Sequence, residues 1–225
     1  MKKVIGHRGA AGTALENSES AIRQAVASGT EVLEVDVRLS RDKKLVVCHD
    51  ANLETMANNS SKIRQHNWAD LQKIVLRDGS QLLLLEDVLK IVGQKAQLII
   101  ELKDLGSEHS LVAALDAFPK AQVAIASFKR PVLLAVRKLR PKLPLYVLEH
   151  TKSLDAIQFA KREKLQGIGL NFWLLSPHTY YQARRAGLGI YAYTVNSRFL
   201  AWFIHLFYPQ VIICSDHPER FSSKG

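Results

Sequence analysis

The sequence has few cysteines and no long uninterrupted apolar segment. The two absences argue against a disulfide-rich or zinc-binding protein and against a membrane-spanning one. Only Cys48 and Cys214 occur among 225 residues, each inside an apolar run. A disulfide framework or a clustered Cys/His zinc site needs more, so we expect both thiols to be reduced core residues. The stretch 199–214 resembles a membrane segment, but it contains His205 and Pro209 and falls short of the roughly 18 to 20 apolar residues that a spanning helix needs.

Several common functional motifs are also missing. The chain contains no Walker-type phosphate loop, no GxGxxG fingerprint and no nucleophile elbow. After the start MKK, only two apolar residues precede Gly6, His7 and Arg8, which interrupt any signal-peptide core. We therefore expect a cytoplasmic protein that uses neither a nucleotide cofactor nor a serine nucleophile.

Acidic residues are in short supply relative to basic ones. Lys and Arg number 31 against 21 Asp and Glu, a net charge of +10. This balance suits a phosphate-bearing substrate or an anionic surface. The basic residues are scattered rather than arranged in a stripe with exposed aromatics, so we expect no nucleic-acid partner. The apolar first half of 199–214 favours a buried helix, with a homo-oligomer contact or weak membrane-surface docking as alternatives.

Short apolar runs recur along the chain, with helical stretches between most of them. The nine runs are VIGH, VLEVDV, LVVCH, LIIELK, VAIASF, PLYVLE, GIGLNF, IYAYTV and VIICSD. Runs rich in Val, Ile and Leu without strict alternation are typical of parallel strands covered on both faces. We predict an α/β fold of the (β/α)8 TIM-barrel class, with residues 1–225 forming one domain.

The nine runs exceed the eight positions of such a barrel. VLEVDV and LVVCH are separated by only seven residues, too few for a helical crossover, which predicts an irregularity around the second and third strands. The polar segment 51–80 is expected to be a small insertion. After the first loop, Asn17 or Ser18 can cap a helix that Gly29 ends.

Ionisable residues stand at the ends of the first four runs. They are His7 and Arg8 after the first, Glu34 and Asp36 in the second, His49 and Asp50 after the third, and Glu101 and Lys103 in the fourth. Because the carboxyl ends of barrel strands meet at one rim, these side chains are expected to converge there. Residues two apart in a strand leave the same face, so each pair within a strand points the same way.

Three converging carboxylates require neutralisation. Oxygen ligands from Glu34, Asp36 and Glu101 suit one divalent cation, Mg²⁺ or Ca²⁺, and the alternative is a buried ion-pair network that includes Lys103. His7 and His49 could act as general acid and base, since histidine titrates near neutral pH. Arg8 and Lys103 offer the donors that a phosphate group needs. The pattern indicates phosphoryl chemistry with one metal ion.

These residues resemble the glycerophosphodiester phosphodiesterase family over nearly the whole chain. The family pattern of HRG, ENT, E-x-D-V and V-V-x-H-D is similar to HRGAAGTALENSESA and EVDVRLSRDKKLVVCHD here. Further along, IIELK, LLLLEDVL, IASF, AYTVN and CSDHP resemble later family motifs in the same order. The resemblance implies a barrel of the phospholipase C-like kind and hydrolysis of small-molecule glycerophosphodiesters to glycerol 3-phosphate and an alcohol.

The resemblance also implies roles for individual positions. His7 and His49 match the acid/base pair, Arg8 and Lys103 the phosphate binders, and Glu34, Asp36 and Glu101 the ligands of Mg²⁺ or Ca²⁺. Trp173 and Tyr193 are expected to contact substrate carbons, or else to fill the core.

The chain departs from the family pattern at several positions. They are Leu15, Ser18, Leu84, Tyr193 and Ser215, where the family usually has proline, threonine, threonine, tryptophan and threonine. Glu54 stands where the family carries arginine, which points to a different head-group preference.

Two alternatives remain: a lysophospholipase D-like hydrolase that uses the apolar stretch to dock on lipid, and a non-catalytic phosphate- or lipid-binding barrel.

Overall fold

A computed structural model describes residues 4–221 of the chain. The start MKK, on which part of the localisation argument depends, and residues 222–225 of the expected single domain lie outside the described residues. The strands, in chain order, are β1 (Val4–Gly6), β2 (Val32–Leu39), β3 (Leu45–Val47), β4 (Asn52–Leu53), β5 (Asn59–Lys62), β6 (Gln97–Leu102), β7 (Val123–Ser127), β8 (Leu145–Glu149), β9 (Gly167–Asn171), β10 (Gly189–Tyr193) and β11 (Val211–Ser215).

Helices follow most of these strands. They are α1 (Glu19–Ala27), α2 (Glu54–Ala57), α3 (Trp68–Leu71), α4 (Leu85–Val92), α5 (Glu108–Asp116), α6 (Arg130–Leu139), α7 (Ser153–Arg162), α8 (Pro177–Arg185) and α9 (Arg198–Phe207), with short 3-10 turns at Ile63–Gln65, Phe172–Leu174 and Pro218–Phe221. None of the helices within 4–221 combines the length and apolar character needed to cross a bilayer.

Eight parallel strands of the described chain close into a barrel. The order is β1, β2, β6, β7, β8, β9, β10 and β11, and β1 pairs with both β11 and β2. The (β/α)8 prediction is therefore confirmed. The extra run, β3, pairs antiparallel with Val37–Leu39 at the end of β2, beyond the part of β2 that pairs with β1, which explains the short connection between the two strands.

The predicted insertion packs around its own small core. Within 51–80, β4 and β5 form an antiparallel ribbon, followed by a 3-10 turn and α3. Its apolar side chains Leu53, Met56, Ile63 and Leu71 pack with Cys48 next to β3. The segment is thus attached to the end of β3, directly after one of the predicted functional histidines.

Two apolar layers hold the barrel together. The larger lies between the strands and the surrounding helices and includes Ile22 and Ile100. The smaller fills the barrel interior and consists of Ile5, Val32, Ile99, Ala124, Ala126, Leu148, Tyr191 and Cys214. Cys48 and Cys214 are both free and buried, as expected.

Helix α9 differs from the sequence-based expectation. We expected a buried helix, yet only Ala201 and Ile204 of this element are buried. The outer side carries exposed aromatic residues. Packing against the barrel therefore does not account for the apolar character of this helix. The expectation of a buried helix is wrong for this face.

Candidate active site

The barrel interior changes from apolar to charged along β2 and β6. The inward positions, two residues apart, are Val32, Glu34 and Asp36 on β2, and Ile99 and Glu101 on β6 with Lys103 just beyond it. Asp36 lies in register with Glu101 across the parallel pair. The period of two therefore places apolar side chains in the middle of the barrel and ionisable ones at its carboxyl-end rim.

The three predicted carboxylates converge. One oxygen from each of Glu34, Asp36 and Glu101 lies within 4.8 Å of the other two, and all three residues are buried. Lys103 Nζ lies 2.9 Å from Asp36 Oδ1 and 2.6 Å from Glu101 Oε1. The arrangement thus contains both the acidic cluster expected for a cation and the lysine expected for an ion-pair network.

The charges within this cluster are only partly compensated. Burial, reinforced by the charge of Asp36, raises the pKa of Glu34 to about 7 and that of Glu101 to about 8. Burial opposes ionisation of Asp36 as well, but Lys103 and Arg8 hold the pKa of Asp36 well below its usual range. Lys103 and Arg8 therefore stabilise the ionised form of Asp36, whereas ionising Glu34 or Glu101 costs free energy.

The first strand runs straight into His7, Arg8 and Gly9 because the chain must turn sharply at the rim. Arg8 and Gly9 both adopt positive φ, 50° and 84°. A Cβ on Gly9 would lie 2.7 Å from the backbone carbon of Ala21 at the start of α1, so only glycine fits. The turn directs the Arg8 N–H to Glu34 Oε2 at 3.0 Å.

Arg8 is anchored by acidic groups at the edge of the cavity. Its Nη1 donates to Glu16 Oε2 at 2.6 Å, and its Nε lies 3.3 Å from Asp36 Oδ2. That Nε is buried, and its contact with Asp36 lacks the geometry of a hydrogen bond. Because Arg8 lines the cavity, its guanidinium places a fixed positive charge where a phosphate group would bind.

Asn17 supports the acidic cluster from the loop before α1. Its Nδ2 donates to Asp36 Oδ2 at 3.0 Å, and its Oδ1 accepts from the Asp36 N–H at 3.2 Å. Ser18, rather than Asn17, caps α1 by accepting from the N–H of Ala21. The choice left open between two caps is settled in favour of Ser18, because Asn17 is committed to the site.

His7 belongs to a half-buried relay of polar groups. Its Nδ1 lies 2.6 Å from Asp216 Oδ1, and Asp216 Oδ2 accepts from Asn196 Nδ2 at 2.7 Å. Burial opposes protonation of His7, but the Asp216 hydrogen bond and the charge of Glu34 hold the pKa of His7 above 6.5. With Nδ1 occupied, Nε2 is the ring nitrogen left for substrate.

His49 is oriented in the same manner by a different carboxylate. Its Nδ1 lies 2.8 Å from Asp50 Oδ1, and Asp50 Oδ2 accepts from the Thr55 hydroxyl at 2.5 Å. Burial, together with Lys103 and Arg8, outweighs the charge of Asp36 and lowers the pKa of His49 below 6.5. The two histidines are therefore shifted in opposite directions, as a donor and an acceptor of protons need to be.

A cavity of about 120 Å³ joins these groups. It is lined by His7, Arg8, Glu34, His49, Glu101 and Lys103, with Phe128 and Tyr193 on the apolar side. The Tyr193 hydroxyl donates to the carbonyl of Glu149 at 2.9 Å, which fixes its ring against Phe128. Trp173 does not line this cavity: its side chain is 81% exposed and its ring packs on Phe172.

Sequence reasoning missed the residues that position the others. Glu16 and Asp216 received no role, and Asn17 was considered only as a helix cap, although all three follow a barrel strand or lie in the loop after one. The signal for Asp216 was available, since it directly follows β11 and so stands at the same rim. The partnership of Asn196 with Asp216 could not have been read from one sequence, because it depends on the loop that follows β10.

Comparison with known proteins identifies the group to which this site belongs. A model of the Glycerophosphoryl diester phosphodiesterase family matches residues 7–219. The chain belongs to this family. Membership confirms the family resemblance and the expectation of a phosphodiester hydrolase.

Individual relatives of the glycerophosphoryl diester phosphodiesterase family agree. A glycerophosphodiester phosphodiesterase of Bacillus subtilis (strain 168) is 28% identical, over 88% of this chain and 80% of the relative. A phosphodiesterase from Oleispira antarctica, solved in complex with the product sn-glycerol-3-phosphate, shares the fold with a TM-score of 0.91 at 20% identity, over 98% of this chain and 95% of that chain. A lysophospholipase D of Homo sapiens is 38% identical over 71 residues, 32% of this chain and 23% of the relative.

Proposed function

We propose that the protein hydrolyses small glycerophosphodiesters to glycerol 3-phosphate and an alcohol, using a divalent cation and two histidines. The observation that carries the proposal is the single cavity that joins the acidic cluster, Arg8, Lys103 and both oriented histidines. The printed names of the relatives and the product bound to the Oleispira antarctica enzyme support the substrate class. The two free, buried thiols suit a cytoplasmic location.

The acidic cluster fits a hard cation. Glu34, Asp36 and Glu101 offer only oxygen ligands, which Mg²⁺ and Ca²⁺ prefer, and their oxygens lie close enough to share one ion. The raised pKa values of Glu34 and Glu101 indicate negative charge that the chain does not fully neutralise. When bound, such an ion neutralises phosphate charge and makes a coordinated hydroxyl or water easier to deprotonate.

The chain's own residues supply binding and proton transfer. Arg8 and Lys103, which line the cavity, hold the phosphate oxygens and stabilise the charge that develops on them. His49 accepts the proton of the attacking oxygen, and His7, held protonated by Asp216, donates a proton to the departing alkoxide as the P–O bond breaks. The attacking oxygen forms the new P–O bond as the bond to the alcohol breaks. Overall one water molecule is consumed, either as the attacking group itself or in a second step after attack by a glycerol hydroxyl. Tyr193 and Phe128, which line the cavity, form an apolar wall for substrate carbons.

The direct test is release of glycerol 3-phosphate from glycerophosphocholine by the purified protein. We expect activity to disappear with EDTA and to return with Mg²⁺ or Ca²⁺, whereas activity that survives thorough chelation would contradict the cation. His49→Ala should lower kcat by about 10²- to 10⁴-fold. His178→Ala, which removes an exposed histidine on α8, is the matched control and should leave the rate unchanged. Equal turnover by the His49 variant would contradict the role of His49, whereas the absence of turnover by the unmodified chain with either ion would support a binding barrel instead.

A lysophospholipase D-like activity is the second candidate. Two observations favour it: the local similarity to the human lysophospholipase D and the exposed aromatic face of α9. A series of glycerophosphodiesters with increasing acyl chain length separates the two activities. Turnover of lysolipids without turnover of glycerophosphocholine would reverse our preference.

A further inference from the structure

Helix α9 exposes a continuous row of apolar side chains. We call this row the α9 face; its members are Phe199, Trp202, Phe203, Leu206 and Phe207. Their spacing of i, i+3, i+4, i+7 and i+8 places them along one side of the helix. Phe199 is 73% exposed, Trp202 58% and Phe207 56%. Contiguous apolar surface of this kind usually marks an interaction site.

The α9 face is not needed to complete the barrel. Ala201 and Ile204, on the opposite side of the helix, are buried and already anchor α9 to the main core. On the outer side, the rings pack on one another: Phe199 lies 5.9 Å from Trp202 and Phe203 lies 4.6 Å from Phe207, centroid to centroid. The surface is therefore preformed rather than a set of isolated side chains.

The part of the sequence that contains the α9 face is basic and has no acidic residue over a long stretch. Between Lys164 and Ser215 the sequence has no Asp or Glu. Exposed arginines lie near both ends of the face: Arg198 begins α9, and Arg184 lies near the end of α8, one turn after Tyr180, whose ring packs on Tyr208 at the end of α9. An apolar row with basic flanks is complementary to a lipid surface that carries negative head groups.

We propose that the α9 face docks on an anionic lipid membrane, with its rings among the head groups and Arg184 and Arg198 near the lipid phosphates. Charge disfavours a second copy of this chain as the occupant, because a symmetric contact would bring like-charged arginines together without an acidic partner from 164–215. Docking would also bring lipid to the cavity mouth. Helix α9 begins after the carboxyl end of β10, at the end of the barrel that carries the proposed active site.

The test is co-sedimentation of the full chain with vesicles in the absence of substrate. Vesicles of phosphatidylcholine are compared with vesicles that contain roughly 30% phosphatidylglycerol. We expect binding to the anionic vesicles at low ionic strength and its loss near 1 M salt, where the Debye length falls to about 3 Å. Because no catalysis is measured, the result does not depend on the proposed hydrolysis.

Paired variants separate the apolar and the charged contributions. Trp202→Ser with Phe207→Ser should lower the vesicle partition coefficient at least tenfold, since burial of each ring provides a large share of interfacial affinity. The control is Val75→Ser with Leu154→Ser, two exposed apolar side chains outside the α9 face. Both pairs should keep the circular dichroism spectrum and the Tm of the unmodified chain, which verifies folding.

Two further pairs of variants, which remove the same number of positive charges from different places, test the basic flanks. Arg184→Gln with Arg198→Gln should reduce binding to anionic vesicles about tenfold or more, whereas Lys95→Gln with Lys120→Gln, which removes the same charge elsewhere on the exposed surface, should change it little. Equal losses in the two pairs would show that net charge alone acts. The proposal is overturned if the chain ignores anionic vesicles, if the serine pair binds normally, or if sedimentation instead shows a dimer that the serine pair dissociates.

Discussion

The metal-free protein should be destabilised by its own acidic cluster, and replacing Glu34 with glutamine should relieve this. The folded pKa of Glu34, about 7, lies above the ordinary 4.5 because the carboxyl group is buried next to Asp36. A raised acid pKa means that stability is greatest at low pH and falls as the pH rises from the unfolded value through the folded one. Glutamine keeps an oxygen that can accept from the Arg8 N–H but cannot ionise.

The magnitude follows from the shift. One pKa unit corresponds to about 1.4 kcal/mol, so ionising buried Glu34 opposes folding by about 3 kcal/mol near pH 8 but by only about 1 kcal/mol near pH 5.5. In EDTA, Glu34→Gln should therefore stabilise the protein by about 2 kcal/mol more at the higher pH. For a chain of this length that difference corresponds to about 4 to 8 °C in Tm.

The assay is thermal unfolding in EDTA at the two pH values, repeated with Mg²⁺ or Ca²⁺. The control Glu54→Gln removes an exposed carboxylate and should show no pH-dependent gain. In the presence of the ion the order should invert, because Glu34→Gln removes a ligand while the unmodified chain gains most where its carboxylates are ionised. The reasoning is refuted if Glu34→Gln gives no larger gain near pH 8 than near pH 5.5.

Three further predictions concern turnover. The pH profile of kcat/KM should be bell-shaped, with an acidic limb below 6.5 from protonation of His49 and an alkaline limb above 6.5 from deprotonation of His7; loss of the same limb in the alanine variants of both residues would contradict the assignment. Asp216→Asn should lower kcat on the order of 10- to 100-fold with little change in KM, and should move the alkaline limb to lower pH because the hydrogen bond that raises the His7 pKa is weakened; an unmoved limb would mean that Asp216 is only structural. Glu54→Arg should raise KM for the cationic head group of glycerophosphocholine and lower it for an anionic head group by about two- to fivefold, the scale of an exposed charge pair. The control Glu19→Arg, at a half-exposed position on α1 that does not line the cavity, should change neither KM.

Much of the fold followed from local pattern. The nine apolar runs coincide with the eight barrel strands and β3, and the seven-residue gap before β3 marked the one antiparallel neighbour. These features are local because buried parallel strands need continuous apolar sequence and a crossover needs a minimum length. Helix α9 was the exception, since apolar sequence alone does not distinguish a side chain buried in the protein from one directed toward an external partner.

The chemistry-bearing residues were also readable, because strand ends meet at one rim and residues two apart share a face. That reasoning applied to Glu34 and Asp36 on one strand and to Glu101 on another. What only the tertiary structure decided is which groups become partners across long chain separations. The hydrogen bond from His7 to Asp216 spans 209 positions, and the one from Asn17 to Asp36 crosses from a loop to a strand. Such pairings, and the burial that sets the pKa values of the carboxylates, depend on how the ring closes, which no local pattern encodes.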